Sequence, residues 1–326
     1  MNMKHTIVGA GLAALIGTAS MAEELKFANF TPPFHTINQS VIELMNTSIS
    51  DATGGALTVR GYHGGELGAG PVEQYVRVLQ GVADVAWGLP GYTSSQFGRT
   101  MIAELPGAIA DGEPGYIGLL AAYDEHLAGE FPGTKLIALW TSEPNIMIMR
   151  DAEIRTPADL AGLKIRVAGA TAADIAVALG ATPVQMPINE VYNALQTGLI
   201  DGVFTGSSTL IDFKLDEVAN SLILGAPLGR LTFYTVMNQA RYDGLPADQQ
   251  AAIDAVAGEV ASASAETAWL ATADASLTAA RADANNVMID LTPEEIAAFN
   301  EAIAGVVDAY VASVDGAGAL AAMRGE

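Results

Sequence analysis

One arginine stands out as the residue best placed to do chemistry. Arg166 lies in Lys164-Ile165-Arg166-Val167, near the end of a run with strand character. A guanidinium presents a planar fork of N–H donors that matches a carboxylate. The elements around it are legible. Ala161–Ser208 reads as strand (Leu163–Val167), helix (Thr171–Leu179), strand (Ala181–Gln185), helix (Asn189–Thr197) and strand (Leu199–Phe204). Gly180 and Gly198 stand where the two helices should stop. This alternation predicts a parallel sheet covered by helices, and such sheets take ligands beyond the carboxyl ends of their strands. Arg166 belongs at such an end. The competing reading is an ion pair between Arg166 and a structural Asp or Glu on the same rim.

Other reactive groups are sparse. Beyond the first 22 residues the histidines are His35, His63 and His126, and none accompanies a Gly-x-Ser-x-Gly turn. No His-x-x-x-His or carboxylate cluster has metal-ligand spacing. The glycine-rich loop His63–Gly70 lacks the Lys-Ser/Thr ending of a phosphate-binding loop. Zero cysteines remove thiol chemistry, disulfides and cysteine metal sites. The sequence therefore argues against an enzyme, and no cofactor or metal is expected.

The 326 residues suffice for two domains, and half of them are hydrophobic. A net charge of −22 makes nucleic acid and anionic membrane unsuitable partners. An anionic ligand must then find a local positive site. Residues 1–22 read as a secretory signal peptide: Lys4, an apolar run Thr6–Ala19, and small residues at Ser20 and Ala22 before the cut. That apolar run, about 14 residues, is short against the roughly 20 of a membrane span. Its Gly9-Ala10-Gly11 follows no strand, so a dinucleotide site is dismissed. The rest of the chain is therefore expected to be exported.

The first part of the exported chain reads as a β-α-β-α-β unit: strands Leu25–Phe30, Ala56–Tyr62 and Val82–Leu89, with helices after Ile37 and over Pro71–Gln80. Gly115–Phe131 reads as an outer helix and Lys135–Trp140 as a further strand. Ile146–Met149 opens the second part, followed by a helix start at Thr156-Pro157-Ala158-Asp159. Leu231–Asn238 reads as a strand returning to the first part. After Leu245-Pro246-Ala247-Asp248 the composition predicts a helix of roughly 35–40 residues, over 50 Å long. Thr292-Pro293-Glu294-Glu295 caps a last helix to about Val314.

Three motifs in order carry a resemblance: Gly162-Leu163-Lys164-Ile165-Arg166-Val167, Leu179-Gly180-Ala181-Thr182-Pro183-Val184, and Glu190-Val191-Tyr192-Asn193-Ala194-Leu195-Gln196-Thr197-Gly198-Leu199-Ile200-Asp201-Gly202. They resemble the extracytoplasmic solute-binding (DctP-type) subunit of tripartite ATP-independent periplasmic (TRAP) transporters. Gly65-Glu66-Leu67-Gly68, Gly81-Val82-Ala83-Asp84 and Leu245-Pro246-Ala247-Asp248 extend the likeness more loosely over nearly all of the exported chain.

The resemblance implies an α/β, two-lobe periplasmic-binding-protein fold with a long helix bridging both lobes. The first lobe would comprise residues 23–143 and 231–270, the second 144–230 and 271–326. It implies a monomer whose partners are a small organic carboxylate and the membrane subunits, and it gives Arg166 the ligand carboxylate. Strand ends face the cleft in this family, making Phe34, His35, Trp87 and Leu89 candidates, with Met186 and Ile188 as further apolar walls. Core packing is the alternative for Trp87, and a surface loop for His35. Many members carry a second arginine on the strand before the Thr156 helix; here that position falls at Ile146-Met147. Where many place an amide, this chain has Thr205. One cation among apolar walls favours a monocarboxylate with an apolar or aromatic body. The alternatives are a dicarboxylate or sugar acid, or service to an ABC importer.

Overall fold

In the computed structural model, which describes residues 22–110 and 112–326, the polypeptide builds two sheets and crosses between them three times. The expected signal peptide, apart from Ala22, lies outside the described residues. Eleven strands are described, in chain order: β1 (Glu23–Ala28), β2 (Leu57–Tyr62), β3 (Val85–Gly88), β4 (Thr134–Thr141), β5 (Ile146–Met149), β6 (Lys164–Val167), β7 (Thr182–Gln185), β8 (Gly202–Thr205), β9 (Ser221–Leu224), β10 (Thr232–Asn238) and β11 (Val287–Asp290).

The first sheet has the order β2-β1-β3-β10-β4. β1 runs parallel to β2 and β3, while β10 is antiparallel to β3 and β4, so the returning strand locks into the middle of the lobe it left. The second sheet has the order β11-β9-β5-β8-β6-β7. One end of it, β8-β6-β7, is parallel, as the alternation of strands and helices predicts. β5 is antiparallel to β8 and β9, which makes the whole sheet mixed. Every residue of β5 (Ile-Met-Ile-Met) is buried, as suits a strand covered on both faces.

The crossing segments brace one another. Ser142 N–H donates to Leu231 O (2.8 Å), Leu231 N–H to Ser142 Oγ (2.9 Å), and Asn145 N–H to Gly229 O (2.8 Å). These bonds tie β4–β5 to the segment entering β10, which is where a hinge between the sheets must lie.

The long helix is shorter than the composition suggests. It breaks at Gly258, whose φ of +76° and ψ of −121° belong to glycine, leaving Ala247–Val256 and then Glu259–Ala282. The second piece, about 36 Å long at 1.5 Å per residue, still bridges both lobes. Ala261, Ala265 and Trp269 join the apolar cluster of the first sheet, and Leu277 and Ala280 that of the second. Midway, the buried Glu266 carboxylate accepts the backbone N–H groups of Gly115 (2.6 Å), Tyr116 (2.9 Å) and Thr141 (3.1 Å). It thereby caps the helix Gly115–Ala122, whose first N–H groups have no partner within the helix.

The C-terminal segment packs against elements of both lobes. The single helix expected over 293–314 is two, Pro293–Ala302 and Val306–Ser313, parted at Gly305 (φ +85°). Phe299 and Ile303 pack with Ile165 and Phe204 of the second sheet. Tyr310, Val311, Ala319 and Met323 instead cluster with Phe97, Met101 and Leu119, which cover Leu139 and Val236 of the first sheet. The apolar faces of Val306–Ser313 and Ala317–Arg324 thus meet the helices beside the first sheet, and the former also touches Ala170–Ala178.

Candidate functional site

Arg166 sits on β6 between Val184 of β7 and Val203 of β8, at the carboxyl ends of three parallel strands. It is only 1% exposed. Its Nε donates to the Met186 carbonyl (3.0 Å) and one Nη reaches Tyr92 Oη at 3.4 Å. Among the described residues no carboxylate lies within ion-pair distance of it. The structural ion pair considered above is thus not made. Burial pulls this guanidinium below its ordinary pKa, with Tyr92 opposing, but an arginine stays charged. A buried cation without an anion is unfavourable by several kcal/mol, so the position calls for an anionic partner.

Tyr92 supplies the second half of that corner. It lies in the 3-10 turn Pro90–Thr93 directly after β3, and its Oη also accepts the Ile188 N–H (3.0 Å). Both contacts use the phenol as acceptor, which leaves its own proton to donate. Burial raises its pKa, so that proton is held.

These contacts also join the lobes. Tyr92 belongs to the first, Arg166 and Ile188 to the second. Around them, Ala170 N–H donates to Ser94 Oγ (3.3 Å), Thr171 Oγ1 to Glu104 Oε2 (2.5 Å), and Thr36 N–H and Oγ1 both to Asp212 Oδ1 (3.2 Å each). Ala168, just past β6, shares an apolar cluster with Trp87 and Leu89. The cleft is closed.

Between the lobes remains a cavity of about 30 Å³, room for little more than a water molecule, so the walls meet tightly and must part to admit a ligand. Aromatic rings dominate those walls. Phe30 stacks on Trp87 (centroids 4.5 Å apart), and Trp269 meets both Trp87 (5.9 Å) and Phe233 (5.1 Å). Trp87 is fixed by its Nε1–H, which donates to Asn29 Oδ1 (2.9 Å).

A second polar corner holds His35 and Asp212. His35 Nδ1 accepts the Ile37 N–H (3.1 Å), which puts the ring proton on Nε2. Nε2 is 3.6 Å from Asp212 Oδ2, too far for a hydrogen bond. Burial lowers the His35 pKa to about 3, so the ring is neutral, and raises that of Asp212 to about 6.

Of the residues expected at the site, Arg166, His35, Trp87, Leu89, Ile188 and Thr205 line the cavity. Thr205 Oγ1, on the strand beside the arginine's, is buried with no hydrogen-bond partner among the described residues. Phe34 does not line it: at 62% exposure it points to solvent, because the turn after Pro33 aims His35 inward instead. Phe30 fills the aromatic role. Met186 contributes its carbonyl to Arg166 rather than an apolar wall. Tyr92, Asp212 and Trp269 went unforeseen; Tyr92 alone left a signal, three residues past Leu89 at the same strand end. His63 is engaged elsewhere, with Asn29 Nδ2 3.0 Å from its Nδ1. Among the described residues no cluster of three His, Asp or Glu side chains could hold a metal ion.

Two lobes closed over a buried cation define a solute-binding architecture, and comparison with known proteins agrees. A family model described as bacterial extracellular solute-binding protein, family 7 (DctP), matches residues 27–313, and the chain belongs to that family. The C4-dicarboxylate-binding periplasmic protein DctP of Rhodobacter capsulatus is 30% identical over 203 residues, 60% of this chain and 58% of that protein. The chain spans a little over half the length of the curated relatives it matches first.

Solved structures match more completely. A TRAP solute-binding protein from Rhodoferax ferrireducens, in complex with copurified benzoate, has a TM-score of 0.84 at 27% identity, covering 93% of this chain and 96% of that one. A marine-metagenome TRAP solute-binding protein specific for aromatic acid ligands, in complex with 3-hydroxybenzoate, has a TM-score of 0.86 at 27% identity, covering 93% and 97%.

Proposed function

We propose that this chain is the extracytoplasmic binding subunit of a TRAP transporter, and that it closes its lobes around a small monocarboxylate with an aromatic or apolar body. One observation carries the reading: the Arg166 guanidinium is buried, lacks a carboxylate partner among the described residues, and faces a cavity walled by aromatic rings. A carboxylate there would accept parallel bonds from the fork and a further bond from the Tyr92 hydroxyl. Its ring would lie against Trp87, Phe30 and Phe233. The aromatic acids bound by the Rhodoferax and marine-metagenome proteins support this choice over a C4 dicarboxylate, for which Ile146 and Met147 offer no second cation. The chain would be exported to the periplasm by cleavage after Ala22, act as a monomer, and pass its ligand to membrane subunits without turnover. We divide the lobes as 23–143 with 231–270 and 144–230 with 271–305, residues 306–326 rejoining the first.

A thermal-shift panel of aromatic monocarboxylates and C4 dicarboxylates tests the reading. Ligand at 100 times Kd stabilises the native state by about 2.7 kcal/mol, so benzoate-type acids should raise Tm clearly. A strong response to succinate or malate with none to aromatic acids would overturn it.

A further inference from the structure

We infer that the acid carries a hydroxyl group away from its carboxylate, and that Asp212 and His35 read it as a joint acceptor and donor. The inference rests on the carboxylate reading of Arg166 and specifies the other end of the ligand. Asp212 is 4% exposed and lines the cavity. Its Oδ1 is occupied, accepting two bonds from Thr36. Among the described residues no donor is hydrogen-bonded to its Oδ2, and His35 Nε2 stands 3.6 Å off. It makes no ion pair with Arg166, so it does not neutralise the cation that the ligand carboxylate would meet.

The ligand's own carboxylate cannot turn toward Asp212, because two buried carboxylates repel. Whatever group fills this corner must donate to Oδ2. It must also satisfy His35, whose Nδ1 accepts the Ile37 N–H and whose Nε2–H therefore points away from that bond, with no acceptor at hydrogen-bond distance among the described residues. A hydroxyl does both at once: it donates to Asp212 and accepts from His35. A gap of 3.6 Å admits one oxygen within hydrogen-bond distance of both. An ammonium donates only and would leave the His35 proton buried and unpaired; an ether accepts only and would leave Asp212 unpaired. Phe213, Trp87 and Trp269 hold the imidazole in place from three sides, with ring centroids at 5.1, 5.4 and 5.4 Å, so it cannot turn to suit a different group.

The test is calorimetric titration of the full exported chain with benzoate, its 3- and 4-hydroxy derivatives, the matching methyl ethers and the matching aminomethyl compounds, whose aliphatic amine is an ammonium at neutral pH. One hydroxy isomer should bind at least about tenfold more tightly than benzoate, its ether and its amine, as expected for a hydrogen bond to a charged group. In Asp212→Asn, which keeps an oxygen for Thr36 but replaces the free acceptor with a donor, the hydroxy-to-ether ratio should collapse toward one. Hydroxy acids binding within threefold of benzoate in the unaltered protein would overturn the inference and leave the carboxylate reading standing. An amine binding as tightly as the hydroxy acid would overturn it in favour of a cationic group. No acid binding at all would overturn both.

Discussion

Gly91 and Gly169 meet across the cleft so closely that a side chain on Gly169 would clash and one on Gly91 would be tightly crowded. A Cβ on Gly169 would lie 2.6 Å from the Gly91 Cα, and a Cβ on Gly91 would lie 3.2 Å from the Ala168 carbonyl oxygen. Gly169 has φ −160°, an extended conformation open to any residue, so only the closed cleft demands glycine there. The two positions flank the site, one residue before Tyr92 and three after Arg166.

Gly169→Ala should therefore leave both lobes folded while holding the cleft ajar. The Tyr92 contacts to Arg166 and Ile188 would lengthen, and ligand affinity should fall at least about tenfold, the equivalent of 1.4 kcal/mol. Small-angle scattering with saturating ligand should show the unaltered protein contracting and the variant failing to contract. A variant that binds and contracts normally would show that the glycine contact yields easily.

Arg166 should be the residue whose loss weakens binding most. Removing one partner of a buried charge pair costs about 3–5 kcal/mol, or a 100- to 1,000-fold loss in affinity. Arg166→Lys should lose nearly as much as Arg166→Met, because an ammonium cannot span both carboxylate oxygens and cannot also hold the Met186 carbonyl as Nε does. Without ligand, Arg166→Met removes an uncompensated buried charge, so its melting temperature should match or exceed that of the unaltered protein. Calorimetry and thermal denaturation check both halves; a lysine variant binding within threefold would remove the bidentate role.

Tyr92→Phe isolates the phenol. The ring still fills its place, but the Ile188 N–H and the Arg166 fork lose an acceptor and the ligand loses a donor. The expected result is an affinity loss of about tenfold to a hundredfold, from hydrogen bonds to charged groups at about 1.5–3 kcal/mol. Titration with benzoate measures it, and unchanged affinity would place the phenol outside ligand recognition.

What was legible in the sequence follows physical lines. β5 falls on Ile146–Met149 as expected, and the helices before Gly180 and Gly198 end where those glycines take positive φ. Such punctuation is local, so one sequence reveals it. Arg166 was legible because a charge inside an apolar strand end has few structural uses. The rest of the site depends on how distant segments meet. Phe30 and Phe34 have the same chemistry, and only the turn through Pro32 and Pro33 decides which faces inward. Tyr92, Asp212 and Trp269 come together only when the lobes close. The long helix was overextended because its composition continues smoothly on both sides of Gly258, whereas the conformation of that one residue breaks it. The docking of Tyr310 and Met323 on the first lobe depends on which surface is free, and apolar periodicity cannot say that.

Glu104 makes the fold itself sensitive to pH. It is buried at the boundary between lobes, where its carboxyl accepts Thr171 Oγ1 from the second lobe and the Thr232 N–H at 3.3 Å. Burial raises its pKa from an ordinary 4.5 to about 7, the two hydrogen bonds opposing this only in part. The folded protein thus keeps a proton that the unfolded chain releases between about pH 4.5 and 7. The stability linked to this proton is complete below the unfolded value and is lost as pH rises through 7. At about 1.4 kcal/mol per unit the loss is on the order of 3 kcal/mol. Glu143, raised by burial to about 7, and Asp212, raised to about 6, act in the same direction, as does the chain's large negative charge, so the difference from a variant is the informative quantity. Glu104→Gln cannot ionise and still offers an oxygen to one of the two donors. Urea denaturation of both proteins at pH 4.5, 6, 7 and 8 should show the variant gaining on the unaltered protein across this range, with most of the gain complete by pH 8. Parallel stability curves would mean that Glu104 is ionised in the folded state throughout, and that water or another group relieves its burial.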